Sequence, residues 1–361
     1  MIDAIILAAG QGTRMKSNKA KVLHQLGGKS LLQHVIDAIN PLSDSINIVI
    51  NNDAELVRNS INSDSINWVV QKKQLGTGHA VKQAIPYVQD QSMYLILYGD
   101  VPLIKTSTLK TLISKAKKTG FSLLSVIQTD PTGYGRIIRN SNRIIQSIVE
   151  HYDASNKERE IYEINTGIMS IKGSLLKKYV SQLKSNNKQG ELYLTDIVEI
   201  AVSDNVTISS LVCDNVSEVM GINNKNQLSE AERIYQQKQA KDLMSNGLTI
   251  KDPNRFDCRG NLTFGKDCSV DINVVFEGEN ELGKNVLISP NCIINNAKIG
   301  DHAEIKANSI IENSIIGSHT TVGPFARIRP ETEVGDHAKI GNFVEVKKST
   351  IGDKSKVPHL S

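Results

Sequence analysis

The sequence is poor in cysteine and contains no long hydrophobic run. None of the four cysteines belongs to a C-x-x-C pair, and a chain of 361 residues with 39% hydrophobic composition can build its cores without a disulfide framework. We therefore expect the cysteines to be reduced and structural. The apolar stretch nearest the N-terminus, Ala4 to Ala9, follows Asp3 instead of a basic region and is too short for a signal sequence or a membrane span. These absences predict a soluble, cytoplasmic protein.

The chain also lacks a strong charge of either sign. Lysine and arginine number 42 against 38 aspartates and glutamates, a net charge of +4, and no long Lys/Arg run is present. A nucleic-acid or membrane surface needs such runs, so the sequence argues against both partners. The remaining basic residues suit a small anionic ligand.

Two halves of the chain differ in their hydrophobic periodicity. Up to about residue 222, short apolar runs alternate with helical patterns; the runs are "AIILAA", "INIVIN", "MYLILY", "FSLLSVI", "GIMSI" and "VTISSLV". This alternation predicts an α/β domain with a largely parallel sheet over residues 1–225. A linker helix is predicted within 226–250, where Ser229 and Glu232 have the spacing of a capping box and Asn246-Gly247 forms a stop signal.

From residue 251 to 361 an apolar residue followed by glycine recurs with spacings of 18, 17, 17, 18 and 17. The pairs begin at Phe264, Leu282, Ile299, Ile316, Val334 and Ile351. A six-residue step runs through the later coils, at Ile316, Val322, Ile328, Val334, Ile340 and Val346. Three such hexads make one triangular coil, so the pattern predicts a parallel β-helix of hexapeptide repeats. A β-sandwich, the alternative, has no reason to keep a constant six-residue step.

The stretch "AIILAAGQGTRMKSNKAKVLH" joins a predicted strand to a glycine-rich turn with nearby cations. It matches neither G-x-G-x-x-G, because Met15 stands at the third glycine position, nor the Walker loop. Glycines let main-chain N–H groups approach an anion, and Arg14 and Lys21 can neutralise charge on a leaving group. A tight turn with solvated lysines remains the alternative at this point.

Two further segments carry candidate ligands at predicted strand ends. Asp100 follows the run "MYLILY" and is the first candidate for a divalent metal, with helix capping as the alternative. Gln71 precedes "KKQLGTGHA", in which Gly76-Thr77-Gly78 opens a helix. Its amide can donate to and accept from a nucleobase edge, although a surface turn is also possible.

Together these motifs carry a resemblance that covers all 361 residues. The motifs are "LAAGQGTRM", "KVLH", "QLGTGHA", "YGDVPL", "DPTGYGRI", "IVEH", "EINTG" and "GINN", followed by the hexapeptide repeats. In this order they closely resemble the bacterial bifunctional family of N-acetylglucosamine-1-phosphate uridyltransferases and glucosamine-1-phosphate acetyltransferases. The resemblance implies a Rossmann-like nucleotidyltransferase domain followed by a left-handed parallel β-helix.

The resemblance implies roles for individual residues of the first domain. Leu7, Ala8, Ala9 and Gly10 would contact the uridine nucleotide, Arg14 and Lys21 the triphosphate, and Gln71, Gly76 and Thr77 the uracil and its surroundings. Asp100 and Asn223 would hold Mg²⁺. Tyr98 and Gly99 would belong to the substrate site, and Gly135, Glu150 and Asn165 would bind the N-acetylglucosamine moiety.

In the β-helix the resemblance implies that His359 is a general base, with Arg329 and Lys347 binding the phosphate of glucosamine-1-phosphate. Members of the family continue beyond the position of Ser361 with coils that complete the acetyl-CoA pocket, so we expect uridyl transfer to be intact and acetyl transfer to be lost or weak in this chain. The family also implies a homotrimer. Its product, UDP-N-acetylglucosamine, supplies cell-wall and lipopolysaccharide precursors.

This chain departs from the family pattern at two positions. Ala20 stands where proline often precedes the lysine, and Tyr152 stands where we expect lysine, which leaves one basic contact near the sugar in doubt. Two alternative functions stay open. One is another sugar-1-phosphate nucleotidyltransferase with a regulatory β-helix, and the other is a non-catalytic subunit with the same fold.

Overall fold

The computed structural model describes residues 1–51, 54–61 and 66–361. The chain divides into two compact units. The first consists of Met1–His24 and Ser30–Leu228, and the second of Gln25–Lys29 and Ser229–Ser361.

The regular elements before residue 225 are strands and helices in alternation. They are β1 (Ile2–Leu7), β2 (Gln25–Leu26), β3 (Lys29–Ser30), α1 (Leu31–Ile39), β4 (Ser45–Asn51), α2 (Glu55–Asn59), β5 (Ile66–Gln71), α3 (Thr77–Ala84), β6 (Met93–Tyr98), α4 (Thr106–Thr119), β7 (Phe121–Ile127), β8 (Arg136–Arg139), β9 (Ile145–Val149), α5 (Asn156–Arg159), β10 (Glu163–Lys172), α6 (Gly173–Val180), α7 (Asp196–Ser203) and β11 (Ser209–Cys213).

The first unit is built on a sheet with the strand order β11-β7-β10-β6-β1-β4-β5. Strands β1, β4, β5 and β6 run parallel, while β10 lies antiparallel to β6 and β7. The prediction of a largely parallel sheet is confirmed, and β10 is its antiparallel member. Strands β8 and β9 form a hairpin attached to β10.

Both faces of this sheet are covered, which explains why β6 and most of β1 are apolar. On one face, side chains of α1 and α4 pack with Ala4, Ile6, Leu95 and Leu97. On the other, α3, α6 and α7 pack with Ile5, Leu7 and Ile96. Parallel strands buried on two faces need continuous apolar runs instead of alternation. Because β1, β5 and β6 share one direction, the loops that follow them meet at one edge of the sheet.

Helix α8 (Lys225–Ser245) confirms the predicted helix after residue 225 but begins earlier than the capping-box pattern indicated. Its first turn is capped by Asn224, whose Oδ1 accepts the N–H of Gln227 at 2.9 Å. Ser229 lies inside the helix, so the prediction of an N-cap at this residue is wrong. Glu232 instead accepts a hydrogen bond from the Gly27 N–H at 2.8 Å.

The second unit continues after α8 as short strands stacked coil upon coil. They are β12 (Thr249–Ile250), β13 (Phe256–Phe264), β14 (Ser269–Val270), β15 (Val274–Leu282), β16 (Leu287–Ile288), β17 (Ile293–Asn295), β18 (Lys298–Ile299), β19 (Glu304–Ile305), β20 (Ile310–Glu312), β21 (Ser314–Ile316), β22 (Thr321–Val322), β23 (Arg327–Ile328), β24 (Thr332–Val334), β25 (Lys339–Ile340), β26 (Glu345–Val346), β27 (Thr350–Ile351) and β28 (Lys356–Val357).

These strands form the predicted parallel β-helix. Each pairs in parallel with the strand one coil later, as in Ile305 with Val322 and Val322 with Ile340. The six residues of the hexad series are all buried, between 0% and 8% exposed. Glycine recurs at the corners because the coils stack too closely for a side chain: a Cβ at Gly317 would lie 2.5 Å from the carbonyl carbon of Gly335. The left-handed winding stays a prediction.

Candidate active site

The glycine turn after β1 folds back onto the segment that carries Lys21. Gly12 adopts φ +63°, and a Cβ there would lie 2.7 Å from the Cβ of Lys21. Only glycine combines this left-handed conformation with such a close approach. The short helical turns Thr13–Met15 and Lys21–Leu23 then place the side chains of Arg14 and Lys21 at the sheet edge.

A cavity of about 350 Å³ lies at this edge, beyond the carboxyl ends of β1, β5 and β6. Most of the residues predicted to contact the nucleotide and the metal line it, namely Leu7, Ala8, Ala9, Gly10, Lys21, Gln71, Gly76, Thr77, Tyr98, Asp100 and Asn223. Gly99 lies behind the cavity instead, where its N–H donates to the Leu7 carbonyl at 3.0 Å. We call this space the nucleotide cavity.

Four polar side chains converge at one end of the nucleotide cavity. The Lys21 ammonium is ion-paired with Asp100 and donates to Asn223 Oδ1 at 3.0 Å. Arg14 donates to the same oxygen at 2.9 Å. The side chains of Lys21 and Asp100 are only 15% and 12% exposed. Two cations therefore meet two oxygen ligands, and the Lys21–Asp100 pair is largely shielded from water, whereas Arg14 is exposed.

The oxygen atoms in this cluster fit a hard divalent cation. Asp100 offers a carboxylate and Asn223 an amide oxygen, and the Asp100 Oδ2 also lies near Gly221. In the described part of the chain, no group of three or more His, Cys, Asp or Glu residues could hold a metal. Mg²⁺ is typically bound through one or two protein oxygens, with water and substrate phosphates completing its shell, so this small donor set suits it.

A second cavity of about 440 Å³ adjoins the first and shares Thr77, Tyr98, Asp100 and Glu191 with it. The predicted sugar-binding residues Gly135, Glu150 and Asn165 line this second cavity, together with Arg14. We call it the sugar cavity. The four shared residues lie between the two cavities, so Asp100 borders both the predicted nucleotide residues and the predicted sugar residues.

The polar groups of the sugar cavity are held by hydrogen bonds and are shielded from solvent. Thr195 donates to Glu150 Oε1 at 3.0 Å, and burial raises the pKa of Glu150. The N–H of Asn165 donates to the Gly135 carbonyl at 2.8 Å, at the point where the pairing of β10 with β7 shifts register. Burial, with Glu150 and Asp100 nearby, also raises the pKa of the Tyr98 hydroxyl. This cavity can therefore offer fixed donors and acceptors to a polyhydroxyl ligand.

Several lining residues were not predicted from the sequence. Gln74 donates to the Ala9 carbonyl at 2.6 Å, and Glu191, Tyr193 and Thr195 come from the loop before α7. That loop has no periodic pattern. It is placed by long-range bonds such as the one from the Leu192 N–H to the Leu75 carbonyl at 2.8 Å. Gln74 and Tyr134 lie within the motifs "QLGTGHA" and "DPTGYGRI", but neither was predicted as a site residue.

The three residues predicted for acetyl transfer lie on the β-helix. Arg329 and Lys347 follow β23 and β26, which pair with one another, and Arg329 donates to Glu345 Oε1 at 2.8 Å. His359 follows β28, which belongs to the other sheet of the coil. Lys347 and His359 are exposed.

Two families match parts of the chain. Residues 4–166 match the family described as MobA-like NTP transferase domain, and residues 258–360 match the GMPPB C-terminal domain. Among solved structures, a glucose-1-phosphate thymidylyltransferase described from Bacillus anthracis in complex with a sucrose aligns with a TM-score of 0.52 at 20% identity. The alignment covers 65% of this chain and 95% of that one, and it supports the fold alone. In the described residues, no helix is both long and apolar enough to cross a membrane.

The fold and the paired cavities define a nucleotidyltransferase with an appended β-helix. Over its whole length the chain is 55% identical to the bifunctional protein GlmU of Ruthia magnifica and covers 79% of that protein. It is 57% identical to the GlmU of Vesicomyosocius okutanii, of which it covers 80%, and 48% identical to that of Marinobacter nauticus, again covering 80%. The chain belongs to the family of the bifunctional protein GlmU, which synthesises UDP-N-acetylglucosamine by uridyl transfer and of which acetyl transfer is also expected.

Proposed function

We propose that the nucleotide cavity binds UTP, that the sugar cavity binds N-acetylglucosamine-1-phosphate, and that this chain joins them into UDP-N-acetylglucosamine. One observation carries the proposal: the cluster of Arg14, Lys21, Asp100 and Asn223 lies where the two cavities meet. At that junction the phosphates of both substrates would face each other, next to the cations and the metal ligands.

In this assignment the nucleotide cavity holds the nucleoside and the triphosphate at different ends. Leu7 to Gly10 offer main-chain groups, and Gln71, Gly76 and Thr77 surround the base. Arg14 and Lys21 bind the phosphates. The family generally uses a divalent metal, and we assign Mg²⁺ to Asp100 and Asn223, where it would neutralise phosphate charge when bound.

The sugar cavity is assigned to the N-acetylglucosamine moiety. Gly135 offers its main chain, Glu150 an acceptor for sugar hydroxyls, and Asn165 an amide. Tyr98, at the end of β6, lines both cavities and would form the wall between this ligand and the nucleotide, with Gly99 supporting the chain behind it. Because Thr195 fixes one oxygen of Glu150, the other is left for the ligand.

The reaction needs positioning and charge stabilisation instead of a protein nucleophile. A phosphate oxygen of N-acetylglucosamine-1-phosphate attacks the α-phosphorus of UTP and forms a new P–O bond. The bond from that phosphorus to the bridging oxygen breaks, and its electron pair leaves with pyrophosphate. Lys21 and Arg14 reduce the repulsion between the two anions and stabilise the leaving group.

A nucleotide-selectivity assay tests this proposal. Pyrophosphate release is measured with N-acetylglucosamine-1-phosphate and each of UTP, CTP, ATP, GTP and dTTP. We expect UTP to be preferred. Equal or better use of ATP, GTP or dTTP would favour a different sugar nucleotidyltransferase, and the absence of turnover with every nucleotide would favour a non-catalytic subunit.

For the β-helix we propose the second activity of the family. His359 would accept a proton from the amino group of glucosamine-1-phosphate, because the pKa of imidazole lies near neutrality, and Arg329 and Lys347 would bind the sugar phosphate. Acetyl-CoA would be the acyl donor. An acetylation assay on the parent and on His359→Ala tests these roles.

We further propose the division into a uridyltransferase domain (1–225), a linker segment (226–250) that holds most of α8 and ends with β12, and a β-helix domain (251–361), assembled as a homotrimer in the cytoplasm. The four cysteines support a reducing compartment, because all are buried free thiols. Flat sheets of stacked strands support packing around a three-fold axis. Light scattering that shows a monomer at micromolar concentration would contradict the trimer.

A further inference from the structure

The amide nitrogen of Gln71 is engaged by two groups of the protein, the Gly76 carbonyl and the His79 imidazole. Gln71 ends β5 and is 3% exposed. Its Nε2 donates to the Gly76 carbonyl at 3.3 Å and lies 3.0 Å from Nδ1 of His79. A carbonyl oxygen can only accept, so the nitrogen of the amide, and not its oxygen, belongs on this side.

The protonation state of His79 strengthens this orientation. His79 lies in the first turn of α3, where burial and then Lys82 lower its pKa, against a smaller opposing effect of the Lys73 carbonyl. The imidazole is therefore neutral at pH 7, with one lone pair and one N–H. The lone pair at Nδ1 accepts from Gln71. The N–H then lies on Nε2. The structure places the amide nitrogen of Gln83 3.2 Å from this ring nitrogen and 3.4 Å from the His79 carbonyl, so the Gln83 amide has to turn over and give up the carbonyl contact to accept from His79.

The consequence concerns the other atom of the Gln71 amide. Gln71 lines the nucleotide cavity, and no hydrogen bond to its Oε1 is found among residues 1–51, 54–61 and 66–361. With Nε2 engaged by Gly76 and His79, Oε1 is the atom that remains for a base. Turning the amide over would set Oε1 against the Gly76 carbonyl and the Nδ1 lone pair, which are both acceptors.

We propose that His79 is a positioning residue that fixes Gln71 with Oε1 toward the base, so that the cavity accepts a pyrimidine with an N–H at ring position 3 and rejects one with a lone pair there. This inference rests on the proposed function, in which the cavity binds UTP. Uracil carries that N–H and donates to Oε1. Cytosine presents a lone pair at the same position and meets a second acceptor. A buried acceptor left unpaired discriminates more strongly than a difference in shape.

The test compares kcat/KM for UTP and CTP in the parent and in His79→Leu, which removes the acceptor at Nδ1. We expect the UTP to CTP ratio to fall at least about tenfold, while kcat with UTP stays within about threefold. His79→Asn can place an oxygen near the position of Nδ1 and should restore most of the ratio. His34→Leu makes the same change on α1 and should leave the ratio unchanged.

If His79→Leu does not fold, a comparison of His79→Asn with His79→Gln tests the inference instead. His79→Gln extends its amide toward the position of Nε2 and leaves Nδ1 without a substitute, so it should lose the ratio that His79→Asn keeps. Equal ratios in these two polar variants, or an unchanged ratio in a folded His79→Leu, would overturn the inference. A parent enzyme without a preference for UTP over CTP would instead overturn the proposed function.

Discussion

The ammonium nitrogen of Lys21 lies 3.0 Å from Oδ1 of Asn223, a residue 202 positions later in the chain. The same nitrogen is ion-paired with Asp100. Lys21 thus bonds to both of the oxygen ligands that we assign to a divalent cation. Asn223 Oδ1 accepts from both Lys21 and Arg14, so a cation that binds this oxygen displaces one of these donors; a displaced ammonium would be free to contact phosphate. Metal binding and phosphate binding would be coupled through this one side chain.

The first prediction concerns Asp100. We expect Asp100→Ala to lower uridyl transfer by at least about 100-fold, because the assigned ligand pair loses its carboxylate and the site loses the charge stabilisation that the metal supplies. The measurement is the initial rate of pyrophosphate release at saturating Mg²⁺. Asp90→Ala is the control, because that carboxylate is in an exposed ion pair with Lys177. A rate for Asp100→Ala within threefold of the parent would contradict the metal assignment.

The second prediction separates metal binding from catalysis. Lys21→Met should nearly abolish turnover and yet bind Mn²⁺ more tightly in the absence of nucleotide, by about tenfold, because two oxygens lose a competing positive charge. Calorimetric titration or electron paramagnetic resonance measures the affinity. The control is Lys19→Met, an exposed lysine of the same loop. Unchanged or weaker Mn²⁺ binding by Lys21→Met would show that the ammonium does not compete for these oxygens.

The site could be predicted from the sequence where each residue follows a strand. Gln71 and Asp100 directly end or follow apolar runs, and parallel strands deliver such residues to one edge. The sequence also indicated Lys21 and Asp100 separately, as a phosphate ligand and a metal ligand. It gave no sign that they pair with each other, because that contact depends on the side-chain arrangement at the sheet edge and not on local pattern.

The parts that could not be predicted depend on long-range contacts. Thr195 reaches Glu150 because the preceding loop is hydrogen-bonded to the segment before α3, and the loop itself has no hydrophobic period.

At the N-terminus of α8 a local pattern was present but indicated the wrong residue. The spacing of Ser229 and Glu232 matches a capping box but also occurs inside helices, and Asn224 is the residue whose side chain caps the first turn. The β-helix was predictable because each coil repeats one local pattern.

The third prediction tests the alternation of side chains in the β-helix. Ile315 and Ile316 are neighbours in β21, but Ile316 is 1% exposed and Ile315 is 47% exposed. Ile316→Ala should lower the free energy of unfolding of this unit by about 2–5 kcal/mol, because it leaves a cavity between stacked coils. Ile315→Ala should cost no more than about 0.5–1 kcal/mol. Urea unfolding followed by circular dichroism measures both, and equal costs would contradict the inward orientation of Ile316.

The last prediction concerns pH and Asp196, the first residue of α7. Burial, with Glu150, Glu199 and Asp153 nearby, raises the pKa of Asp196 to about 6 from its ordinary value of 3.8. The folded protein therefore keeps this proton over a range in which the unfolded chain has lost it. Between about pH 4 and pH 6 the folded state binds more protons than the unfolded state, so this group makes stability fall as pH rises, and the cost is complete above pH 6.

Asp196→Asn removes the titration. It should therefore stabilise the protein relative to the parent more at about pH 8 than at about pH 4.5, as measured by the urea midpoint at each pH. Asp204, just after the same helix, is the control. Its bond to Lys178 lowers its pKa from the ordinary 3.8, so its contribution to stability is lost only at lower pH, and Asp204→Asn should differ from the parent by nearly the same amount at about pH 4.5 and pH 8. An advantage of Asp196→Asn that is equal at both pH values, or larger at the lower one, would show that Asp196 ionises as readily in the folded protein as in the unfolded chain.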